Sequence, residues 1–309
     1  MEIAQRKKFD FTKLQVILRN YGIILAFSLL FLILAFSSPA FLTYRNLHNI
    51  IDQSAEVGIV ACAMTLAIIS GNFDLSVGAI FAFSGCIAAI IAAKGYVGFA
   101  LLAGIVSGLI LGIMNGLIIT KFRANSFIVT LATGYIIRGL AMILTGGRLI
   151  IVNDPVFSIL GQSSFLGIKI PIFILIIWIS ITWILLGRTT FGRAVYAIGG
   201  NPEAARLSGI NVDRTKIIIF GINGISAALA GLITVSRISQ GQADIGSLVD
   251  LQAISRVVIG GTSIAGGEGT IWRTVFGVLL MRLMTNGFNI LNVSPFYQRV
   301  LGACKTMLP

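Results

Sequence analysis

A chain of 309 residues that is 56% hydrophobic and only 11% charged is too poor in polar side chains to cover a water-soluble body, since soluble domains carry about 25% charged residues. Its net charge of +12 reflects 23 lysines and arginines against 11 acids. No basic face interleaved with stacking aromatics accompanies that charge, so nucleic-acid binding is set aside in favour of membrane topology and contact with anionic lipid headgroups. Composition therefore specifies an all-α integral membrane protein, a single domain over residues 1–309 with a membrane-embedded core at 21–303.

About 20 apolar residues cross a bilayer. By that measure the spans fall, in chain order, at residues 22–38, 55–70, 75–93, 97–119, 127–145, 171–187, 216–236, 251–265 and 271–291. That predicts nine complete transmembrane helices. The tail from 296 is a truncated tenth, "PFYQRVLGACKTMLP" supplying about fourteen of the residues that a core of roughly 30 Å requires. The first span leads into more membrane rather than into a soluble domain, so it reads as a span and not as a cleaved signal.

Orientation follows from the cations. With the N-terminus inside, the inner segments hold Arg6, Lys7, Lys8, Lys13, Arg19, Lys121, Arg123, Arg188, Arg193, Arg206, Arg214 and Lys216. The outer ones hold Arg45, Lys94, Arg148, Lys169 and Arg237, so the bias is twelve against five.

In the second and third spans, "IISGNFDLSVGAI" (68–80) breaks an apolar run with Gly71 and Asn72, carries Asp74, and resumes through Ser76 and Gly78. This predicts a chain reversal or a discontinuous helix on the inner side. Asp74 either caps the following helix, where a carboxylate favours the positive N-terminal end, or contacts a transported solute. The fourth span carries Gly104, Gly108, Gly112 and Gly116 at intervals of four, an extended GxxxG face on which another helix backbone can lie closely. The seventh span answers with Gly224 and Ala228, and with Ala227 and Gly231. Asn115, Asn223 and Asn286 are polar side chains within apolar spans, read either as lining a path or as glue between helices.

Between the sixth and seventh spans, the inner loop 188–215 contains "GGNPEAARLSGIN" (199–211). Asn201 is a good N-cap, Pro202 suits the first helical position, and Gly209 sits where a left-handed residue ends a helix. Residues 202–208 make about two turns, roughly 10 Å. Later, "VIGGTSIAGGEG" (258–269) breaks another apolar run with glycines, again on the inner side.

Other residues offer little chemistry. Cys62, Cys86 and Cys304 lie in apolar segments without CxxC spacing and read as small core residues. His48 has no nearby cysteine or histidine with which to hold a metal. No lysine follows a glycine, so the chain has no GxxxxGK[ST] phosphate loop, and its scattered acids build no hydrolytic centre.

Three segments closely resemble signatures of the bacterial ABC-importer permeases for simple sugars: "GNFDLSVGA" (71–79), Gly192 with the "RAVYAIGGNPEAARLSGI" that follows it (193–210), and "VVIGGTSIAGGEGT" (257–270). Those are the ribose, xylose and arabinose type, related to the branched-chain amino-acid permeases. The likeness runs from about residue 20 to 300. It implies a ten-helix permease fold and a second permease subunit, identical or homologous. It also implies cytoplasmic ABC ATPases that bind ATP and magnesium, and a periplasmic sugar-binding protein. Asn201, Pro202, Glu203, Ala204, Ala205, Arg206 and Gly209 then match the coupling helix that docks on the ATPase, with Glu203 and Arg206 available to pair with the partner. The expected function is monosaccharide import across the bacterial inner membrane, with no enzymatic activity and no cofactor in this chain. Translocation-path candidates are Asp74, Ser76, Asn115, Asn223 and Asn286.

Two rival readings accompany this one. An ion-coupled secondary transporter would use Asp74 or Glu56 as its coupling acid, and would need neither coupling helix nor ATPase. A truncated, non-functional permease would explain the short tail and the arginines Arg256, Arg273 and Arg282 in apolar surroundings, each costing about 2.5–3.5 kcal/mol at a helix centre.

Overall fold

The computed structural model describes residues 11–294 together with Tyr297 and Gln298. Arg6, Lys7, Lys8, the side chains of Lys13 and Arg19, Cys304 and most of the expected tenth span lie outside these residues. The described chain is helical throughout, with four two-residue strands as clips.

The first half runs through α1 (Phe11–Ser37), α2 (Tyr44–Asp52), α3 (Ala55–Ile69), α4 (Val77–Ala92), α5 (Val97–Lys121) and α6 (Ser126–Thr145). After strand β1 (Ile150–Ile151) come α7 (Pro155–Gln162), the hairpin of β2 (Ser164–Phe165) with β3 (Ile168–Lys169), and α8 (Ile170–Arg188). Then follow α9 (Thr190–Gly200), α10 (Pro202–Leu207), α11 (Val212–Ile238), β4 (Gln240–Gly241) paired antiparallel with β1, α12 (Val249–Ile259) and α13 (Ile271–Ile290).

Four helices, α5, α6, α8 and α11, are individually long and apolar enough to cross a membrane, and α2 with α3, bent by 43° at their break, makes a fifth. The expected spans 22–38, 75–93 and 271–291 correspond to α1, α4 and α13. The expected span 251–265 requires correction. Its helix stops at Ile259, because Gly260 and Gly261 follow and Gly261 adopts a left-handed φ of +91° that a continuing helix cannot use. Before α12 the chain is irregular: Ser239 turns left-handed at φ 53°, Gly241 passes Cys86 and Ala89 of α4, and Gly246 passes Phe81 and Gly78. An extended entrance and an eleven-residue helix thus take the place of one continuous span.

Packing centres on α11, 27 residues and about 40 Å long, flanked by α3, α4 and α5. A Cβ at Gly112 would overlap the carbonyl oxygen of Phe220, one at Gly108 would meet Gly224 and Ala228, and one at Gly116 would meet Ile217. Gly104 faces Leu232 and the Ser84 carbonyl, while Gly224 returns the contact with Gly108. The four-residue repeat of α5 therefore lies main chain against main chain along α11. Gly231 faces Phe81 of α4 instead, so the second small-residue pair of α11 serves a different neighbour.

Candidate functional site: a polar cavity above a capped surface helix

The surface helix α10 forms for local reasons. Asn201 Oδ1 accepts the backbone N–H groups of Glu203 and Ala204, each at 3.0 Å, and Pro202 fills the first turn where its missing N–H costs nothing. Gly209 ends it at φ +84°, and the helix covers Pro202–Leu207, one residue shorter than the sequence suggests because Ser208 already serves as C-cap. Ala205 is buried among Ile198 and Val212 of its own chain. Arg206 pairs with Asp213 at 3.1 Å, so it is engaged within the chain. The outward face carries Glu203, Ala204 and Leu207, the last an apolar side chain 91% exposed. A cleft of about 280 Å³ lined by Arg123, Glu203, Arg206, Asp213 and Lys216 lies beside it.

The three signature segments, far apart in sequence, meet directly above this helix. Gly199, at the end of α9, lies against the carbonyl of Ile69 at the end of α3, closer than any side chain would permit. Gly267 donates its N–H to that same carbonyl at 2.8 Å, and Tyr196 donates its hydroxyl to the Gly269 carbonyl at 2.7 Å.

Just beyond this junction, the chain reverses through residues 70–76. Ser76 donates both its backbone N–H (3.0 Å) and its hydroxyl (2.6 Å) to Asp74 Oδ1. Asn223 Nδ2 donates to Asp74 Oδ2 at 3.2 Å, and Asn115 Nδ2 donates to Ser76 Oγ at 2.8 Å. Asp74 is thus not the N-cap of α4, a position that Ser76 holds; it closes an Asx turn two residues earlier. Four of the five path candidates form this one cluster, buried between α4, α5 and α11, and none of the four is among the residues lining the cavity described next. The fifth, Asn286, lies elsewhere, exchanging hydrogen bonds of 2.7 and 3.2 Å with Asn46 across α13 and α2.

The cluster allows a clear expectation. Asp74→Asn keeps the oxygen that accepts from Ser76, and a flip of the Asn223 amide presents its Oδ1, now buried without a partner, to the new Nδ2. Uptake by this variant is expected to stay within about threefold of wild type. Asp74→Glu adds a methylene to a closed site, where overpacking costs about 1–3 kcal/mol, and should fall further. One uptake assay of both variants decides; the reverse order would show that the charge itself is required.

The open cavity lies beside this turn. Its volume is about 360 Å³, and it is lined by Leu75, Gly78, Tyr135, Arg138, Ser247 and Asp250 among others. Arg138 comes from α6, Ser247 from the irregular entrance to α12, and Asp250 from the first turn of α12 itself. Arg138 Nη1 donates to the Ala243 carbonyl at 3.0 Å and to Ser247 Oγ at 3.4 Å. Sequence reading passed over Arg138, although an arginine inside the apolar run 127–145 is itself a functional signal at a cost of about 2.5–3.5 kcal/mol. Asp250 gave no such signal, since it stands at the edge of an apolar run.

At the far end of α11, a second charged group ties the helices together. Asp52, almost fully buried, accepts from Lys169 Nζ at 2.8 Å and from Arg237 Nη2 at 2.9 Å, while Arg237 Nη1 reaches Glu56 at 3.0 Å. The His48 ring accepts the Lys169 backbone N–H at 3.3 Å. Arg256 Nη1 donates to Gln252 Oε1 at 3.3 Å on its own helix.

Comparison with known proteins shows the family of the chain. Residues 46–304 match the family model described as the branched-chain amino acid transport system / permease component. The chain is 41% identical to the ribose import permease protein of Bacillus subtilis over 288 residues, 92% of this chain and 89% of that one. It is 39% identical to the ribose import permease protein of Escherichia coli K12 over 290 residues, 92% and 90% of the two chains. Against the L-arabinose transport system permease protein of the same strain it is 39% identical over 301 residues, 96% and 90% of the two. No solved structure matches the chain. With a family match spanning the bent pair, the signature junction and the cavity, and with relatives aligned over nine-tenths of their length, the chain belongs to this family of transport-system permeases.

Proposed function

We propose that the chain is the membrane-spanning permease subunit of an ATP-binding-cassette importer that carries a monosaccharide across the bacterial inner membrane. The N-terminus and α10 face the cytoplasm, which the twelve-to-five excess of cations supports. Nine spans and the start of a tenth remain the reading of its topology, with the entrance 240–248 and α12 together serving as the eighth. ATP and magnesium are bound by a partner ATPase, and a periplasmic sugar-binding protein delivers the solute to the end that holds Asp52. A second permease subunit covers the open side of the cavity. Lipid there would leave Arg138 Nη2 and the Asp250 carboxylate facing hydrocarbon at membrane depth, a cost that water or another polar surface removes.

The route from motor to cavity is short. The ATPase presses on α10; α9 carries the displacement to Gly199, which bears on the Ile69 carbonyl. The turn at 70–76 then moves the first turn of α4, where Gly78 walls the cavity. Main chain meets main chain at Gly199, so no flexible side chain absorbs the motion.

The helix α10 carries this reading: capped by Asn201 and ended by Gly209, it is held formed despite its length and presents Glu203, Ala204 and Leu207 together as one rigid exposed face on which a partner can dock. In cells expressing the complete transporter, Leu207→Asp and the double variant Glu203→Ala with Gly209→Ala are each expected to insert normally and to reduce vanadate-sensitive uptake at least about tenfold. The ATPase should no longer co-purify. Normal uptake with the ATPase retained would refute the assignment; uptake insensitive to vanadate but abolished by an uncoupler would favour ion coupling.

A further inference from the structure

Arg138 and Asp250 face each other across the cavity without meeting. The position that a Cβ on Gly78 would occupy is 3.7 Å from Arg138 Nη2 and 3.6 Å from Asp250 Oδ1, so these two atoms are at most about 7.3 Å apart. They form no ion pair, which places the charged groups more than 4.0 Å apart. One oxygen that accepts from a guanidinium and donates to a carboxylate spans about 5–6 Å at ordinary hydrogen-bond lengths, inside that interval. The bonds of Arg138 Nη1 to Ala243 and Ser247 fix the guanidinium and leave Nη2 as the free arm at the gap.

We propose that a hydroxyl of the transported sugar bridges Arg138 and Asp250, so that this pair reads the solute as a neutral polyol within the permease itself. The inference rests on the reading above that the solute is a monosaccharide. A hydroxyl donates and accepts through the same atom, as the gap requires. The pair is neutral in sum, so a neutral solute leaves no uncompensated charge at membrane depth. Tyr135, on the same wall, offers a ring face to the C–H surface of a sugar.

The test compares uptake of D-ribose and L-arabinose with their singly deoxygenated analogues, in cells expressing the complete transporter. The wild-type transporter is expected to prefer the parent sugar over at least one analogue by tenfold or more in kcat/KM. In Arg138→Gln and Asp250→Asn, that preference should fall at least about threefold below the wild-type value, with ATP hydrolysis by the purified complex retained. The same binding protein serves every variant, so its own selectivity cancels in the comparison. Should either variant fail to insert, Arg138→Lys keeps the charge but supplies a point donor instead of a fork, and the same collapse is expected. Sugar uptake with the preference unmoved in all variants overturns the bridge alone. Uptake of L-leucine and of no sugar by the wild type overturns the functional reading beneath it.

Discussion

Gly112→Leu should leave no measurable uptake and little folded protein in detergent. The leucine side chain would have to occupy the space of the Phe220 carbonyl and the Gly224 Cα on α11, and neither can move without shifting a helix of 27 residues. Overpacking a closed core costs about 1–3 kcal/mol even where side chains can adjust. Here the obstacle is main chain, so the penalty falls at or above the upper end of that range. Gly98→Leu, at a position with open space around it, is the control and should leave both expression and uptake near wild type. Size-exclusion profiles of tagged variants in detergent, with uptake measured in the same cells, check the pair. A monodisperse, active Gly112→Leu protein would mean that α5 and α11 separate far more easily than their contact implies.

Asp52→Ala carries the second large effect. Its carboxylate is the shared acceptor for Lys169 and Arg237, so its removal strands Lys169 and leaves Glu56 as the remaining acid on Arg237. Breaking a wholly buried pair costs about 3–5 kcal/mol. Lys169 and Arg237 keep 33% and 24% of their side-chain surface, and water relieves part of the penalty, leaving about 2–3 kcal/mol. A fall in Tm of roughly 3–5 °C is expected, with uptake reduced because the bent pair α2–α3 loses its tie to α8 and α11. Asp52→Asn retains an acceptor for one cation and should lie between. Thermal unfolding of the detergent-solubilised protein distinguishes the three; an unchanged Tm for Asp52→Ala would assign the tie to Glu56 alone.

What could be read from the sequence was local. The caps of α10 are written within nine residues, and its observed length differs from the reading by one residue. The GxxxG face of α5 is a periodicity, so its existence was legible, while its partner α11 was only one of several small-residue faces. Asp74, Ser76, Asn115 and Asn223 were each visible as polar residues in apolar runs. Their assembly into one cluster was not, because the closing contact joins residues 149 positions apart. All four are buried where α4, α5 and α11 pack. The cavity was the least legible part: Arg138 was a single charge in an otherwise convincing span, and its counterpart Asp250 lies beyond a stretch whose hydropathy conceals an irregular backbone. Hydropathy over 251–265 ran on through the glycines that end α12, since it measures partition and not chain geometry.

That short helix has a consequence for how the protein is made. Eleven residues of α12 extend about 16 Å, roughly half the hydrocarbon thickness, and they include Asp250 and Arg256. Such a segment has no stable place in lipid by itself and cannot leave the translocon alone. Its support comes from α3 and from α13, where Gly277 lies against the Arg256 carbonyl. Because α3 is already made when α12 emerges, α12 is expected to enter the bilayer against α3, and α13, synthesised afterwards, to close over it.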